Sequence, residues 1–267
     1  MLDDQTVTAY LERIGATRPS APDLEGLRHL QERQVLSMPF ENLDYHLGEP
    51  VHMDERVLPK LIGARRGGGC FEVNPALAFL LRSLGYTVDI LPGRVHRPGG
   101  VLGPLLGHLA LRVRADGKDW LVDTGFGRNS RFPLDLASRE EQPDPHGTYR
   151  LTESDNGAVD VFYNGKPLYQ VVLHPVEVED FAPALWWYRT APESSFLQAL
   201  FCSMRTEDGM VTIKGSQLST VSNGEREVVD LGDEAAVLAA YKEIFGFGLD
   251  KLPPEPEGGV TAGVRVE

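Results

Sequence analysis

Apolar residues recur at helical spacing through the first third of the chain. In the segment VTAYLERIG they fall three or four positions apart, at Val7, Tyr10, Leu11 and Ile14. This spacing predicts an amphipathic helix, and Gly15 follows it as a stop signal.

Three further segments of the first third predict helices. In residues 22–38 the apolar positions recur at helical spacing, and Pro39 ends the run; these positions are Leu24, Leu27, Leu30 and Leu36. ERVLPKLIGA predicts another short helix, and PALAFLLRSLGY is strongly apolar and ends at Gly85, where a helix favours glycine. We therefore expect residues 1–86 to form a helical bundle.

From residue 87 to residue 183 the pattern changes to alternation and β-rich runs. Turn sequences separate these runs, among them ADGK at 115–118 and YNGK at 163–166. The runs 108–114 and 119–123 read as a hairpin that turns at Asp116-Gly117. Several antiparallel strands in succession predict a barrel or a sandwich.

Residues 184–267 are mixed. The segment SFLQALFCSMRT reads as helical or irregular, and the next residues read as strands with turns at Lys214-Gly215 and Asn223-Gly224. DEAAVLAAYKEIFGFG predicts a helix capped by Asp233 and stopped by Gly246, and the tail from 253 onward predicts little order. Segregated helices and strands indicate an α+β protein, not a doubly wound sheet.

Charge and composition exclude several classes of function. The chain has 26 Lys and Arg against 39 Asp and Glu, a formal charge of −13, which disfavours nucleic acid as a general partner. No apolar run approaches the ~18 residues of a membrane span, and the first residues do not resemble a secretory signal. We therefore expect a cytosolic protein with no membrane partner.

The two cysteines, Cys70 and Cys202, are then expected to be thiols. They form no CxxC pair, so a structural zinc site is not expected. Cys202 has no basic or glycine-rich neighbours and is expected to be structural. Cys70 lies in RRGGGCFEVN, behind two arginines and three glycines.

Cys70 is either a packed small hydrophobe or a nucleophile. Helix N-termini and nearby cations favour a thiolate, and Arg65 and Arg66 bring charge to this segment. The glycines at 67–69 would let a substrate approach. The helix begins either at Cys70 or at Asn74-Pro75, itself a strong helix-start signal, and the sequence leaves both open.

A nucleophilic cysteine needs a base, and the base needs an orienting group. Among seven histidines, His108 opens one strand of the predicted hairpin, and Asp123 closes the other nearly opposite it. Cross-strand neighbours have Cβ atoms about 5 Å apart. The pair either completes a Cys-His-Asp triad or simply stabilises the hairpin.

Four segments in order resemble the arylamine N-acetyltransferase family. They are MPFENLDYHLG (38–48), RRGGGCFEVN (65–74), GHLALRV (107–113) and LVDTGFG (121–127). The resemblance implies a triad of Cys70, His108 and Asp123. It also implies three units: a helical bundle, a β-barrel and an α/β lid with a triad arranged as in cysteine proteases.

The resemblance further implies acetyl transfer from acetyl-CoA to arylamines or arylhydrazines, in ping-pong order through an acetyl-cysteine. Acetyl-CoA would be a co-substrate, with no permanently bound cofactor. The chain departs from the family motifs at three positions: Gly69 replaces an aromatic residue, Thr124 replaces valine, and Pro75 follows the asparagine.

Pocket and supporting residues also follow from the resemblance. Arg66 is expected to pair with Glu41 and brace the cysteine loop. For Phe40, Phe126 and Phe201, ordinary core packing is the alternative to a ligand contact. The implied contacts with the acceptor or CoA are Phe40, Leu106, Gly107, Gly125, Phe126, Gly127 and Phe201.

Three other functions would use the same residues. A cysteine hydrolase would use the triad equally well, although the CGSCW-type signature of papain-like peptidases is absent. An amide synthase of secondary metabolism resembles the same family and closes macrolactams. The third alternative is a binding module that keeps the fold without catalysis.

Overall fold

The computed structural model describes residues 1–254, so most of the tail predicted to be poorly ordered lies outside the described residues. Within the described range the α-helices are α1 (Asp4–Ile14), α2 (Leu24–Ser37), α3 (Leu43–Leu47), α4 (Cys70–Ser83), α5 (Ala182–Thr190), α6 (Ser195–Gln198) and α7 (Glu234–Ala240). Shorter 3₁₀ turns lie at Glu55–Val57, Pro98–Gly100, Asp155–Gly157 and Val178–Phe181, and π-helical turns at Pro59–Gly63 and Tyr241–Phe245.

The strands divide between two antiparallel sheets. They are β1 (Phe40–Glu41), β2 (Thr87–Arg97), β3 (Val101–Leu102), β4 (His108–Ala115), β5 (Lys118–Val122), β6 (Leu134–Asp135), β7 (Glu141–Asp144), β8 (Gly147–Glu153), β9 (Ala158–Tyr163), β10 (Lys166–Val172), β11 (Phe201–Arg205), β12 (Gly209–Lys214), β13 (Gln217–Ser222) and β14 (Glu225–Asp230).

The first helices form as the apolar spacing predicts. α1 is capped by the Asp3 side chain, which accepts from Thr6 N, and it ends at Gly15 in the left-handed conformation. In α2, however, Val35 is buried where Leu36 was expected, and two glutamines, Gln31 and Gln34, are completely buried. Buried amides require hydrogen-bond partners, and those of Gln34 lie near the functional site.

α4 begins at Cys70, with Gly69 as its N-cap, and continues through Pro75. This decides between the two helix starts that the sequence allowed. Pro75 lacks an N–H and cannot donate to the carbonyl of Phe71, so the helix forgoes one bond near its start. Residues of α4 share one core with α1, α2 and the barrel strands β2 and β4, and this core fixes the helix against the barrel.

The larger sheet has nine strands and confirms the predicted barrel. Its strand order is β6-β5-β4-β2-β10-β9-β8-β7, and β3 pairs with β2. Gln142 on β7 joins the two edge strands: its Oε1 accepts from Asp135 N at 2.8 Å, and its Nε2 donates to Asp135 O at 3.2 Å. Side-chain bonds thus bring the two edges together and nearly close the barrel.

The smaller sheet, ordered β1-β11-β12-β13-β14, joins the first unit to the third. β1 follows α2, and its residues Phe40 and Glu41 pair with Ser203 and Cys202 of β11. β11 lies where the sequence read as helical or irregular, because a short apolar run does not distinguish the two states. The turn expected at Lys214-Gly215 lies one residue later, between β12 and β13.

The C-terminal helix forms as predicted. The Asp233 side chain accepts from Ala236 N, and Gly246 adopts the left-handed conformation. Residue 86 lies between α4 and β2, and residue 183 lies inside α5. The unit boundaries after these two residues stay predictions.

Candidate active site

Cys70 is the first residue of α4, and only 5 % of it is exposed. Gly69 before it is extended, so the chain enters the helix at the cysteine itself. The first N–H groups of a helix have no partner inside it and carry partial positive charge. An anionic side chain is therefore favoured at this position, and the side chain there is a thiol.

The backbone of Gly125 lies directly against Cys70. A Cβ atom on Gly125 would come within 2.5 Å of the Cα of Cys70 and 3.0 Å of its Cβ. Only glycine allows the end of the barrel hairpin to approach the start of α4 so closely. The structure therefore gives Gly125 a packing role at the cysteine, and its contact with a ligand stays a prediction.

The glycines before Cys70 make room for the protein's own groups. A Cβ on Gly67 would fall 1.8 Å from the carbonyl oxygen of Pro39, and one on Gly68 would fall 2.5 Å from Oε2 of Glu72. The expectation that they open a path for substrate is wrong for these two positions. The space beside each is already occupied by the backbone or by a carboxylate.

His108 and Asp123 form a buried hydrogen bond in which Nε2 lies 2.8 Å from Oδ2. The hairpin turns at Asp116-Gly117 as predicted, and both turn residues have positive φ. Its register pairs Leu111 with Val122, which places Asp123 two positions away from the residue opposite His108. The expected placement of the two residues nearly opposite each other is therefore wrong. Asp123 is a diagonal neighbour of His108 across the hairpin, and the imidazole side chain is long enough to reach it.

The ring of His108 faces Cys70 with its other nitrogen. Because Nε2 is bound to Asp123, Nδ1 is the ring nitrogen that is left for the Cys70 side chain, whose charge acts on the imidazole. Burial by itself would lower the pKa of His108, but the charges of Asp123 and of a Cys70 thiolate raise it to about 10. The imidazole is therefore protonated at neutral pH.

Asp123 is held by several donors. Its Oδ1 accepts from Asn74 Nδ2 and from Gly125 N, each at 2.9 Å. Burial by itself would raise the pKa of Asp123, but the charge of His108 and these hydrogen bonds bring it below its usual value. The carboxylate is therefore ionised, and its Oδ2 points at the imidazole.

The segment before Cys70 rests on a cluster of buried charges, which we call the ion cluster: Lys60, Arg66, Glu41, Asp44 and Glu72. Arg66 bonds Glu41 at 2.8 Å and Asp44 at 2.8 Å, while Lys60 bonds Asp44 at 2.6 Å and Glu72 at 2.7 Å. Glu72 also accepts from Gly69 N at 3.1 Å. The cluster thus fixes the backbone immediately before the cysteine.

The ion cluster changes the role expected of the two arginines. The charge of Arg66 is balanced by carboxylates, and Arg65 is exposed. The cation beside the thiol is therefore His108. Within the cluster, burial raises the pKa of Glu72 to about 7, against the lowering effect of Lys60.

Phe40 and Phe201 lie together near the site. Their rings stack with centroids 5.3 Å apart, and Phe196 meets both rings edge-on. Phe196 also contacts Tyr45 at 4.8 Å and reaches the cysteine loop, where a Cβ on Gly69 would come within 3.2 Å of its ring. These rings form an aromatic wall beside the cysteine loop.

Phe126 lies against His108. Its ring meets the edge of His108 at 5.2 Å and packs on Tyr169 at 4.9 Å. Gly127 has a φ of +84° and lies against the ring of Phe40. The GFG turn therefore connects the histidine to the aromatic wall.

Leu106 and Gly107 lead into β4. Leu106 has a φ of +57°, an uncommon conformation for a residue with a side chain. A Cβ on Gly107 would meet the carbonyl oxygen of Pro104 at 2.9 Å and the Tyr188 hydroxyl at 3.0 Å. This tight turn fixes where His108 enters the strand.

Asn74 and Tyr169 were missed as site residues. Asn74 lies one helical turn after Cys70, and this i, i+4 spacing could have placed it on the same face. The ring of Tyr169 lies 4.5 Å from that of His108, and the charge of Asp123 helps raise the pKa of Tyr169, whose burial is the main cause of the shift. Tyr169 comes from β10, far along the chain, and no local signal indicates it.

Residues 1–254 contain neither a metal-binding cluster nor a membrane-spanning helix. In this range no group of three or more His, Cys, Asp or Glu side chains is arranged to hold a metal ion. In the same range no helix has both the length and the apolar character needed to cross a bilayer.

Residues 23–252 match the N-acetyltransferase family. The chain is 32 % identical to arylamine N-acetyltransferase 2 of Mus musculus over 93 % of this chain and 97 % of that protein. It is 34 % identical to the arylamine N-acetyltransferase of Mycolicibacterium smegmatis over 91 % of this chain and 92 % of that one. The chain belongs to the arylamine N-acetyltransferase family.

Solved arylamine N-acetyltransferases share this fold. The Mycobacterium marinum enzyme, solved in complex with CoA, superposes with a TM-score of 0.82 at 29 % identity, over 90 % of this chain and 92 % of that chain. The resemblance drawn from the four motifs and the predicted α+β fold are both confirmed. As a member of this family, the chain is an acyltransferase.

Proposed function

We propose that this chain transfers the acetyl group of acetyl-CoA to arylamines and arylhydrazines through a thioester on Cys70. One observation carries the proposal: Cys70 begins a helix beside a histidine that is itself held by a buried aspartate. The M. marinum relative binds CoA, and the curated relatives are named for arylamine acetylation. Both support this choice of donor and acceptor.

In the first half-reaction Cys70 acts as the nucleophile. The protonated His108 favours the thiolate, which attacks the carbonyl carbon of acetyl-CoA. The bond from that carbon to the CoA sulfur breaks, and CoA leaves as a thiolate that takes the proton of His108. The products are acetyl-Cys70, free CoA and a neutral imidazole.

In the second half-reaction the neutral imidazole acts as a base. The acceptor nitrogen attacks the acetyl carbon, and His108 takes a proton from that nitrogen. The carbon–sulfur bond breaks, and Cys70 leaves as a thiolate. The acetylated amine departs, and the original ion pair of imidazolium and thiolate is restored.

Asp123 acts in both half-reactions through the imidazole. Its Oδ2 accepts from Nε2, so the proton that moves is the one on Nδ1, which faces the cysteine. It also stabilises the imidazolium without taking a proton itself. Asp123 is nearly buried, so water does not compete for this bond.

The aromatic residues are proposed to bind the acceptor. Phe40 and Phe201 offer stacked rings near the cysteine loop, and Phe126 lies against the imidazole. A planar arylamine would pack between such surfaces, and apolar walls would keep water from the thioester. Leu106, Gly107, Gly125 and Gly127 are proposed to line the approach to the triad.

Arg66 and Glu41 are proposed to support the cysteine loop. Their ion pair is almost completely buried, so removing either partner would leave a buried charge unpaired. We further propose that the protein works in the reducing cytosol. Both cysteines are free thiols, and Cys70 must stay reduced to act.

The experiment is steady-state kinetics with acetyl-CoA and a panel of arylamines and arylhydrazines. Ping-pong order predicts parallel double-reciprocal lines, CoA release that accelerates with acceptor, and no turnover by Cys70→Ala. If CoA is released as fast without an acceptor as with one, the protein is a hydrolase. Loading of Cys70 without acetylation of any simple arylamine would indicate an amide synthase with a larger acceptor.

A further inference from the structure

A chain of buried polar side chains runs from the helical bundle to the triad. We call it the relay: Tyr10 on α1, Gln34 on α2, Thr124 after β5, and Asn74 on α4. Tyr10, Gln34 and Asn74 are completely buried, and Thr124 is 4 % exposed. Buried polar groups are costly unless they are hydrogen-bonded, so each bond in the relay constrains the next.

The donors of the relay point in one direction. Tyr10 O–H donates to Gln34 Oε1 at 2.8 Å, which leaves Gln34 Nε2 to donate to Thr124 Oγ1 at 2.8 Å and to Val73 O at 3.2 Å. The Thr124 hydroxyl has one proton and donates it to Asn74 Oδ1 at 3.0 Å. Reversing the Gln34 amide would set its oxygen against the carbonyl of Val73.

The last amide of the relay faces Asp123. Asn74 Oδ1 also accepts from Thr124 N at 2.9 Å, so this oxygen takes two donors. Asn74 Nδ2 must then face the opposite way, where it donates to Leu109 O at 2.7 Å and to Asp123 Oδ1 at 2.9 Å. Asp123 Oδ1 is thereby engaged, and Oδ2 is left for His108.

Thr124 is the position at which this arrangement departs from the family motif. Valine, which the family motif has at this position, would fill the same volume without a hydroxyl. Gln34 would then lose one acceptor, and Asn74 Oδ1 would lose one of its two donors. In this chain the hydroxyl joins the helical bundle to the triad by side-chain hydrogen bonds.

We propose that Gln34 and Thr124 are positioning residues, which fix the amide of Asn74 and through it hold the Asp123 carboxylate toward His108. The inference rests on the proposed function, because it assigns these residues to the orientation of the proposed triad. Neither residue touches the reacting atoms.

The test compares Gln34→Met and Thr124→Val with two controls. Thr124→Ser keeps the hydroxyl. Gln31→Met removes a fully buried glutamine one helical turn earlier, whose Nε2 donates to Ser130 O at 2.9 Å and which has no part in the relay. For each protein the titration of His108 is followed by NMR with labelled histidine, together with the first-turnover rate and the unfolding temperature.

We expect Gln34→Met and Thr124→Val to lower the titration midpoint of His108 by about one pH unit, a tenfold change in proton affinity. Their first-turnover rates should fall by about tenfold, with the KM for acetyl-CoA unchanged. Thr124→Ser should behave as wild type, and Gln31→Met should lower only the unfolding temperature.

The proposal is overturned if His108 titrates in Gln34→Met and Thr124→Val as it does in Gln31→Met. The NMR titration does not depend on turnover, so this result is separable from a failure of the proposed function. That failure would appear in the wild-type protein, as a Cys70 that acetyl-CoA never loads.

Discussion

Nε2 of His108 lies 2.8 Å from Oδ2 of Asp123, although the two residues are not opposite each other in their hairpin. The bond uses Nε2, so Nδ1 is the ring nitrogen that is left for Cys70. It therefore fixes both the tautomer and the orientation of the imidazole, and Nδ1 is presented to the thiol.

Replacing Asp123 with asparagine should disable this orientation. Asn74 and Gly125 donate to Oδ1, so they would attract the amide oxygen and turn the new NH₂ group toward His108. His108 would then carry its proton on Nδ1, and it could not receive one there. We expect Asp123→Asn to reduce the first-turnover rate by about 10⁴, as in other triads of this type.

The matched control is Asp160→Asn. Asp160 also bonds a histidine, His96, at 2.9 Å in the same sheet, but the pair lies outside the site. We expect this variant to turn over as wild type. If the first-turnover rate falls equally in Asp123→Asn and Asp160→Asn, the effect of Asp123→Asn arises from a less stable barrel and not from the orientation of His108.

The pH dependence of the first turnover should report His108. Its pKa is raised to about 10, so the imidazolium persists through neutral pH and is lost as the pH rises through that value. The rate of CoA release, corrected with Cys70→Ala, should therefore fall only near pH 10. The same group stabilises the fold fully below its usual pKa of 6.5, and this contribution is lost as the pH rises toward 10. If the rate of CoA release instead falls around pH 6.5, this assignment to His108 is contradicted.

The ion cluster predicts a stability change below neutral pH. The pKa of Glu72 is raised to about 7, above its usual 4.5, so the folded state binds a proton that the unfolded state releases. The stabilisation is full below pH 4.5 and is lost as the pH rises through 7. Glu72→Gln lacks this titration. Between pH 5 and pH 7.5 its unfolding temperature should therefore fall by about 3 °C less than that of wild type.

If the unfolding temperatures of wild type and Glu72→Gln change by the same amount between pH 5 and pH 7.5, the placement of Glu72 is contradicted. The measurement is thermal unfolding followed by circular dichroism at a series of pH values. Glu72 faces Lys60, Glu41, Asp44 and Tyr45, and Arg66 completes the cluster. Glutamine keeps an oxygen for Gly69 N, so the helix cap is retained.

Gly125 should not tolerate a side chain. Gly125→Ala would place a methyl group 2.5 Å from the Cα of Cys70, and the helix start or the hairpin end must then move. We expect a loss of at least about 100-fold in the loading of Cys70, because small displacements of reacting groups are costly. The control is Gly248→Ala, where the added methyl group meets nothing within 4 Å. Normal loading in Gly125→Ala would show that this contact is not needed.

The sequence predicted the parts of the fold that local patterns encode. The Asp116-Gly117 and Asn223-Gly224 turns lie where their residues indicated, because positive φ angles are a local requirement. β11 was not predicted as a strand, because its extended state depends on pairing with β1, more than 150 residues earlier in the chain. Local propensity carries no information on such a partner.

The same distinction applies to the site. Cys70 stood out because of its glycine-rich surroundings, and His108 and Asp123 because they flank a recognisable turn. Lys60 and Glu72 were missed because only the folded chain brings them together, and Gln34 because a glutamine within a helix usually reads as exposed. Buried polar networks leave no periodic signal in a sequence.

The central claim is tested most directly by mass spectrometry of the protein after incubation with acetyl-CoA and no acceptor. We predict one added acetyl group on the peptide that contains Cys70, its loss on addition of an arylamine, and no such group in Cys70→Ala. An unmodified Cys70 peptide, or an acetyl group on Cys202 alone, would contradict the account.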